Sequence, residues 1–496
     1  MPRKIKKIAI ANRGEIAVRL ISTCQEMGIT PILLYSSADQ NSKAFRMCSE
    51  KVCIGPEEAK KSYLNTLAII EGALSAGADA IHPGYGFLSE KAELAKACNK
   101  NNLIFIGPPE NCLEIFGDKV LARKQAIKCG IPVLPAYTMP EPAIKESSDS
   151  LLMEAGKIGF PIMIKSTKGG GGRGLRIVRS QEEWSEAFSS AKREIKAAFG
   201  SSEVFIEKYL PFARHIEVQV FVDASGQVFH LFDRDCSIQR KQQKIIEEAP
   251  ALLPQFVQKE MQSAAVELLQ SVRYLQAGTV EFLYHDSQFY FMEVNPRIQV
   301  ECPVTEMILG IDLIRAQVLT AQGLSPFIQK KFIPRGHSIQ CRIYAEDMQK
   351  QVPDFGPLGT CEFPQGVNRR FDMGYESEDQ VPGFYDAMLG KCIVWEESRL
   401  RAIEKMKKAL SDILIFGLKT NLSFLQDLIS HTAFREGKTH TRFVEEMFLP
   451  FWKEKEIHAL PPEVIFTLLK TFSAQTKFVS FHKKEKHFNP WAYFSK

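Results

Sequence analysis

The sequence predicts an α/β fold mixed with α+β parts, and three patterns carry that expectation. Strand and helix alternate through the first hundred residues, a glycine run follows an apolar strand further on, and hairpin-rich segments come after it. Lys7–Ala11 reads as a short buried strand. Glu15–Met27 has helical periodicity through Ile16, Leu20 and Cys24, Gly28 caps it, and Thr30–Tyr35 is the next strand. Leu67–Ser75 and Glu90–Asn99 read as helices, and Ala80–Ile81 and Leu103–Ile106 as strands. Alternation at this spacing implies a parallel sheet covered on both faces. The first turn lacks G-x-G-x-x-G, so a dinucleotide site is not indicated.

The stretch Met139–Ser150, rich in Pro, Glu and Ser, leads into a second unit. It holds the strand Phe160–Lys165, the run Lys168–Gly174, the strand Leu175–Val178 and the helix Glu182–Ala198. Hairpin-rich segments Val204–Leu231 and Thr279–Asn295 flank a helix at Pro254–Val272. A third unit begins near Gly336 with the strand Ser338–Tyr344 and a helix at Arg399–Leu414.

Composition excludes several classes. The 496 residues are 24% charged and 45% hydrophobic, which rules out a disordered or collagenous chain. A net charge of +5 is too mild to indicate nucleic acid. No apolar stretch approaches the roughly 18 residues of a membrane span, and Ile8–Ala11 is too short for a signal-peptide core. Eleven cysteines without a C-x-x-C pair suggest buried free thiols in a reducing cytoplasm.

Four segments carry chemistry. The strand Ile162–Lys165 precedes Lys168-Gly169-Gly170-Gly171-Gly172-Arg173-Gly174, whose glycines let backbone N–H groups approach a polyphosphate. Lys165, Lys168 and Arg173 favour phosphate over a plain hairpin tip, and such a loop would close over nucleotide as a lid. In the hairpin Thr279–Asn295, a three-residue turn at Asp286-Ser287-Gln288 would set Glu281 across from Glu293. Facing like charges destabilise a sheet unless a cation sits between them, and oxygen ligands suit Mg²⁺ or Mn²⁺. Asn295 can add a third oxygen. The following polar run puts Asn295, Arg297, Gln299 and Glu301 on one side of an extended chain, where a guanidinium fork can hold a small planar anion and a carboxylate can take a proton. The basic segment Arg234–Lys244 is either a solvated face or brings Gln239, Arg240, Gln243 and Lys244 to phosphate or substrate.

In this order the segments resemble the ATP-grasp superfamily, and specifically biotin carboxylase, over about residues 5–448. The motifs are IANRGEIAVR at Ile10–Arg19, HPGYGFLSE at His82–Glu90, GDK at Gly117–Lys119, the IK and GGGGRG pair, EKYL at Glu207–Leu210 and RHIEVQ at Arg214–Gln219. They continue with RDCSIQR at Arg234–Arg240, EEAP at Glu247–Pro250, EVNPRIQVE at Glu293–Glu301, PVTE at Pro303–Glu306 and CRIYAED at Cys341–Asp347. The resemblance implies a Rossmann-like N-terminal domain (1–118), an ATP-grasp domain (119–335, with a mobile lid at about 137–209) and a C-terminal domain (336–448), and past its end composition marks an aromatic, basic extension (449–496). It implies that Lys119, Lys165 and backbone at Gly171 and Gly172 contact ATP phosphates. Glu207, Lys208, Tyr209 and Leu210 would read adenine, with His215 near the ribose and Gln242 beside the nucleotide. Glu281, Glu293 and Asn295 fall on the family's metal ligands, and Lys244, Arg297, Gln299 and Val300 on its bicarbonate site. Glu301 matches the base, Arg342 the arginine that steadies the biotin enolate, and Tyr85 a loop that approaches biotin. The reaction so implied activates bicarbonate with ATP as carboxyphosphate and carboxylates biotin, the first half-reaction of an acetyl-CoA or other acyl-CoA carboxylase.

The sequence departs from the family at several positions. Gln242 stands where many relatives have histidine, Cys302 where VEH is usual, Lys168 for glycine and Tyr344 for asparagine. Asp354-Phe355-Gly356-Pro357 replaces an SPG turn. No Met-Lys-Met carrier motif occurs, so biotin is expected on a separate biotin carboxyl carrier protein, with carboxyl transfer by a further subunit and a homodimer as the family's common state. Residues 449–496 hold eight lysines and ten of the chain's 50 aromatics. Pro461-Pro462 can start a helix striped by Val464, Ile465, Leu468, Leu469 and Phe472, which either docks partner subunits or folds back on its own domain. The rival readings are a non-catalytic ATP-grasp scaffold and another ATP-grasp ligase.

Overall fold

A computed structural model describes residues 4–138, 148–166, 175–199, 204–327 and 331–453. The first layer is a parallel sheet of β1 (Lys7–Ile10), β2 (Thr30–Tyr35), β3 (Glu50–Cys53), β4 (Ala80–His82) and β5 (Ile104–Phe105), in the order β3-β2-β1-β4-β5. The expected helix runs Gly14–Glu26 and buries Ile16, Leu20 and Cys24, as its periodicity requires. Gly28, with φ of +67°, turns the chain back toward β2 in a conformation that glycine adopts without strain. The helix expected at Glu90–Asn99 starts later, at Ala92, because Ser89 and Lys91 are first drawn into turns.

A second sheet is antiparallel: β6 (Ala136–Thr138), β7 (Ile162–Ser166), β8 (Arg176–Val178) and β9 (Val204–Lys208), in the order β6-β9-β7-β8. Helices Ser148–Ile158 and Trp184–Phe199 cover it. Leu151, Trp184, Phe188 and Ile195 pack on Ile162, Ile164, Val204 and Ile206. The helix expected from Glu182 begins at Trp184, since Gln181–Glu183 form a 3₁₀ turn in which Glu183 accepts the Arg179 N–H. The glycine run, including Gly171 and Gly172 with Lys168 and Arg173, lies outside the described residues.

The largest sheet is drawn from residues 214–396. Its strands are β10 (Arg214–Val222), β11 (Val228–Arg240), β12 (Gln243–Ala249), β13 (Gln276–His285), β14 (Gln288–Asn295), β15 (His337–Tyr344), β16 (Arg369–Met373) and β17 (Met388–Glu396). They lie in the order β14-β13-β10-β11-β12-β15-β17-β16, every neighbouring pair antiparallel. Helix Gln255–Ser271 buries Val257, Met261, Ala265 and Leu268 against Ile216, Val218, Val280 and Phe282. Each large apolar side chain so buried contributes roughly 1.5–3 kcal/mol. Helix Arg399–Asp412 stops two residues short of expectation because Leu414–Ile415 pairs instead with Cys361–Glu362.

These elements form one compact unit from Met1 to Phe451, and a second unit starts at Trp452. The expected tail helix and the aromatic end lie outside the described residues. No helix among the described residues is long and apolar enough to cross a membrane. All eleven cysteines are free, and most are buried.

Candidate active site

The site is built across neighbouring strands of the large sheet, from β14 to β15. The β13–β14 hairpin closes on a two-residue turn, Asp286-Ser287, with φ of +48° and +63°, one residue shorter than expected. His285 therefore pairs with Gln288, and Phe282 with Phe291. A bulge at Met292 then restores the missing residue, so Glu281 faces Glu293 as the sequence suggested. Glu217 on β10 faces Glu281 in turn, which lines up three carboxylates across three strands.

The protein supplies the cations that hold this row together. Lys244, on β12, donates to Glu217 Oε2 at 2.6 Å, Glu281 Oε1 at 2.7 Å and Glu301 Oε1 at 2.7 Å. Burial disfavours its charge, but these glutamates outweigh it and hold the ammonium well above its ordinary value. Arg234, fully buried, donates to Glu217 Oε1 at 2.5 Å and to Gln219, Thr279, Gln299 and Thr305. Lys119 meets Glu293 at 3.2 Å, and that carboxylate raises its affinity for a proton. Asn295 donates to Glu281 Oε1 at 2.8 Å and accepts from Arg297 Nη2 at 3.0 Å. Gln299 donates to the same glutamate oxygen at 2.8 Å.

Glu301 lies between two cations. Lys244 reaches Oε1, and Arg342 Nη2, on β15, donates to Oε2 at 3.0 Å. Arg342 Nε also donates to Glu247 at 2.5 Å, while Arg297 Nε donates to Glu90 at 2.5 Å. Burial pushes the Glu301 carboxyl up, but Lys244, Arg342 and Arg234 together hold it below its usual value against the repulsion of Glu217.

At the other end, Lys165 on β7 bonds Glu207, and Arg123 approaches the same carboxylate at 3.4 Å. Lys208 Nζ donates to the carbonyls of Gly159 and Phe160 at 2.8 and 3.1 Å. The Tyr209 N–H donates to the Pro161 carbonyl at 3.1 Å. His215 has Gln239 Nε2 at 3.0 Å from Nδ1 and Glu281 at 3.3 Å from Nε2. Burial opposes its protonation, but Glu281 overrides this and pushes it up to about 9. Gln242 occupies the turn between β11 and β12 with φ of +62°. On the opposite wall, Asn12 Nδ2 donates to the Pro83 and Tyr85 carbonyls, each at 2.7 Å, and fixes the loop that bears Tyr85.

One cavity of about 690 Å³ joins most of these groups, while Glu90, Glu217, Arg234 and Glu247 support its lining from behind. Such a volume suits a nucleotide-sized ligand. Its lining includes Tyr85, Lys119, Lys165, Glu207, Lys208, Tyr209, Leu210, His215, Gln242 and Lys244. It continues with Glu281, Glu293, Asn295, Arg297, Gln299, Val300, Glu301 and Arg342. The described residues that the resemblance assigns to the site all line this cavity, whereas Arg240 of the basic segment bonds Glu346 instead, and the glycine run with Lys168 and Arg173 falls outside the description. The oxygens of Glu281, Glu293 and Asn295 border the same space, and that donor set fits a hard divalent ion. Sequence reasoning missed Glu217, Arg234, Glu247 and Asn12 as site residues. Their signal was present, since each lies within one of the motifs above, but only strand register shows that Glu217 and Arg234 face the acidic row.

Fold and cavity together define an ATP-dependent ligase of the ATP-grasp class. Family models match along the chain: "Biotin carboxylase, N-terminal domain" at residues 4–113, "Carbamoyl-phosphate synthase L chain, ATP binding domain" at 118–326 and "Biotin carboxylase C-terminal domain" at 340–446. A biotin carboxylase from Nostoc sp. is 45% identical over 448 residues, covering 90% of this chain and 99% of the relative. The mitochondrial methylcrotonoyl-CoA carboxylase subunit alpha of Glycine max is 44% identical over 89% of this chain, which spans only 61% of that longer protein. The crystal structure of a biotin carboxylase beta-gamma-ATP complex from Campylobacter jejuni superposes with a TM-score of 0.86 at 40% identity, covering 89% of this chain and 99% of that one. The chain belongs to the biotin carboxylase family.

Proposed function

We propose that this chain carboxylates biotin presented on a separate biotin carboxyl carrier protein, using ATP and bicarbonate, as the first half-reaction of an acyl-CoA carboxylase. The observation that carries the reading is the placement of Glu301 between Lys244 and Arg342 in one buried cavity. Glu301 is ionised at neutral pH and can take the bicarbonate proton, so the freed oxygen can attack the γ-phosphate. Arg297, Gln299 and Lys244 would orient bicarbonate, and Lys119 and Lys165 would offset charge on the transferring phosphoryl group. A divalent ion held by Glu281, Glu293 and Asn295 would supply further charge neutralisation there. Arg342 would pair with negative charge that develops on the ureido oxygen, and Tyr85 would lie in the loop that approaches biotin. The glycine run would keep water from the activated carboxylate.

Glu207, Lys208, Tyr209 and Leu210 would bind the adenine end, with His215 and Gln242 beside the sugar. The domain limits 1–118, 119–335 and 336–448 belong to the same reading, as do homodimer formation and a partner-docking role for 449–496. Free thiols suit a reducing cytoplasm. An acetyl-CoA carboxylase serving fatty acid synthesis is the proposed setting.

The test is to mix the chain with ATP, Mg²⁺, labelled bicarbonate and free biotin. Bicarbonate-dependent ATP hydrolysis that rises with biotin is expected, and Arg342→Ala should keep the first while losing the rise. A chain with no turnover is a scaffold, and one that ignores biotin is another ligase.

A further inference from the structure

We infer that Lys391 is a positioning residue that ties the proposed bicarbonate segment and the proposed biotin-facing residue to one strand; this rests on the biotin carboxylase reading above. Lys391 lies on β17 directly opposite Arg342 on β15. Two cations facing each other across strands repel, and both are buried, so something must hold each in place. Arg342 is held by Glu247 and Glu301. Lys391 has its own pair, Glu15 at 3.0 Å from the first helix and Asp372 at 3.8 Å from β16. Asp372 stands opposite Lys391 in register, and Gly390 lets β16 come that close, since a Cβ there would lie 2.4 Å from the Asp372 carbonyl oxygen.

With its charge compensated, the ammonium makes two contacts toward the site. It donates to the Val300 carbonyl at 3.0 Å, and it lies 5.9 Å from the centroid of the Tyr85 ring. Arg342 meanwhile grips the carboxylate of the next residue, Glu301. The dipeptide Val300-Glu301 is therefore held from two adjacent strands, by its carbonyl and by its side chain. An apolar residue could fill the buried volume at position 391 without two acidic partners. The cost of burying a lysine there is matched to a hydrogen bond that fixes where the base sits.

The experiment compares the full-length wild-type chain with Lys391→Met and with the double variant Glu15→Gln/Lys391→Met, which removes the acid that the single change leaves without its lysine. Bicarbonate-dependent, biotin-stimulated ATP turnover is resolved into kcat and KM, and MgATP affinity is measured separately by calorimetry. Wild-type turnover tests the biotin carboxylase reading itself, so its absence counts against that reading alone. If Lys391 positions the segment, kcat falls about 100-fold, as for a misplaced catalytic group. KM for bicarbonate and for biotin both rise, while the MgATP dissociation constant stays within about twofold. The assignment is overturned if kcat and both KM values stay close to wild type, if MgATP affinity drops in step with them, or if neither variant folds.

Discussion

Glu301, the proposed base, shows how two cations keep a buried carboxylate charged. Burial alone would favour its neutral form, yet Lys244 and Arg342 on its two oxygens favour the charged one. It is deprotonated wherever an ordinary glutamate is, and somewhat below that. The pH profile of kcat/KM for bicarbonate should therefore hold through mildly acidic solution, and any acid limb due to Glu301 should fall below the usual glutamate range. Glu301→Gln should lower bicarbonate-dependent turnover by about 10²–10⁴-fold and leave MgATP binding in place, as calorimetry would report. Among the departures from the family pattern, Tyr344 lies against Arg342. Burial pushes the Cys302 thiol far up, so it stays neutral at the start of helix Cys302–Leu309, and Gln242 sits on a surface turn. Tyr344 lines the cavity, and its side chain interacts with the Arg342 guanidinium.

The β13–β14 hairpin is where local chemistry and register meet. The spacing about an expected turn at Asp286-Ser287-Gln288 was enough to set Glu281 across from Glu293. The turn was not legible, because Asp286-Ser287 adopts the left-handed conformation without a glycine to announce it. The bulge at Met292 was equally silent, and the two misses cancelled. Ser287→Gly should relieve the left-handed serine and raise stability by about 1 kcal/mol, seen as a higher Tm with unchanged ATP turnover. The helix ends followed the same rule as the turn. Those marked by glycine, as at Gly28, were readable, whereas those set by a competing strand, as at Leu414–Ile415, were not.

Across the whole molecule, acidic groups are stabilised in their charged forms at several places at once. Glu217, Glu281 and Glu301 all lie below their ordinary values despite burial, chiefly through Lys244. Burial likewise opposes ionisation of Glu248, but His337 and Arg399 bring it down to about 2. At these four groups the folded chain binds fewer protons than the unfolded one between the lowered values and the usual 4.5, whereas burial shifts Glu15, Asp233 and Glu247 the other way. Stability from these groups is present above the usual value and lost as pH falls through the lowered ones. Tm followed from pH 7 to 3 should drop most steeply below about pH 4.5. At this scale the sequence was legible in pieces only. It showed the parallel first layer and nearly all of the site, because motifs mark those. It did not show that the strands on either side of residue 336 form one sheet, since that pairing joins segments some ninety residues apart.

That join has its own consequence. The seam at residue 336 divides the chain by motif but not by backbone bonding, for β12 and β15 bond from Ile246 to Ala249. Glu247, which steadies Arg342, sits on one side of the seam and Arg342 on the other. Were the polypeptide made as two separate pieces, each would display a long uncovered β edge and invite aggregation. Neither piece would own a complete reaction centre, so what looks like modular architecture along the chain behaves as an indivisible machine in space.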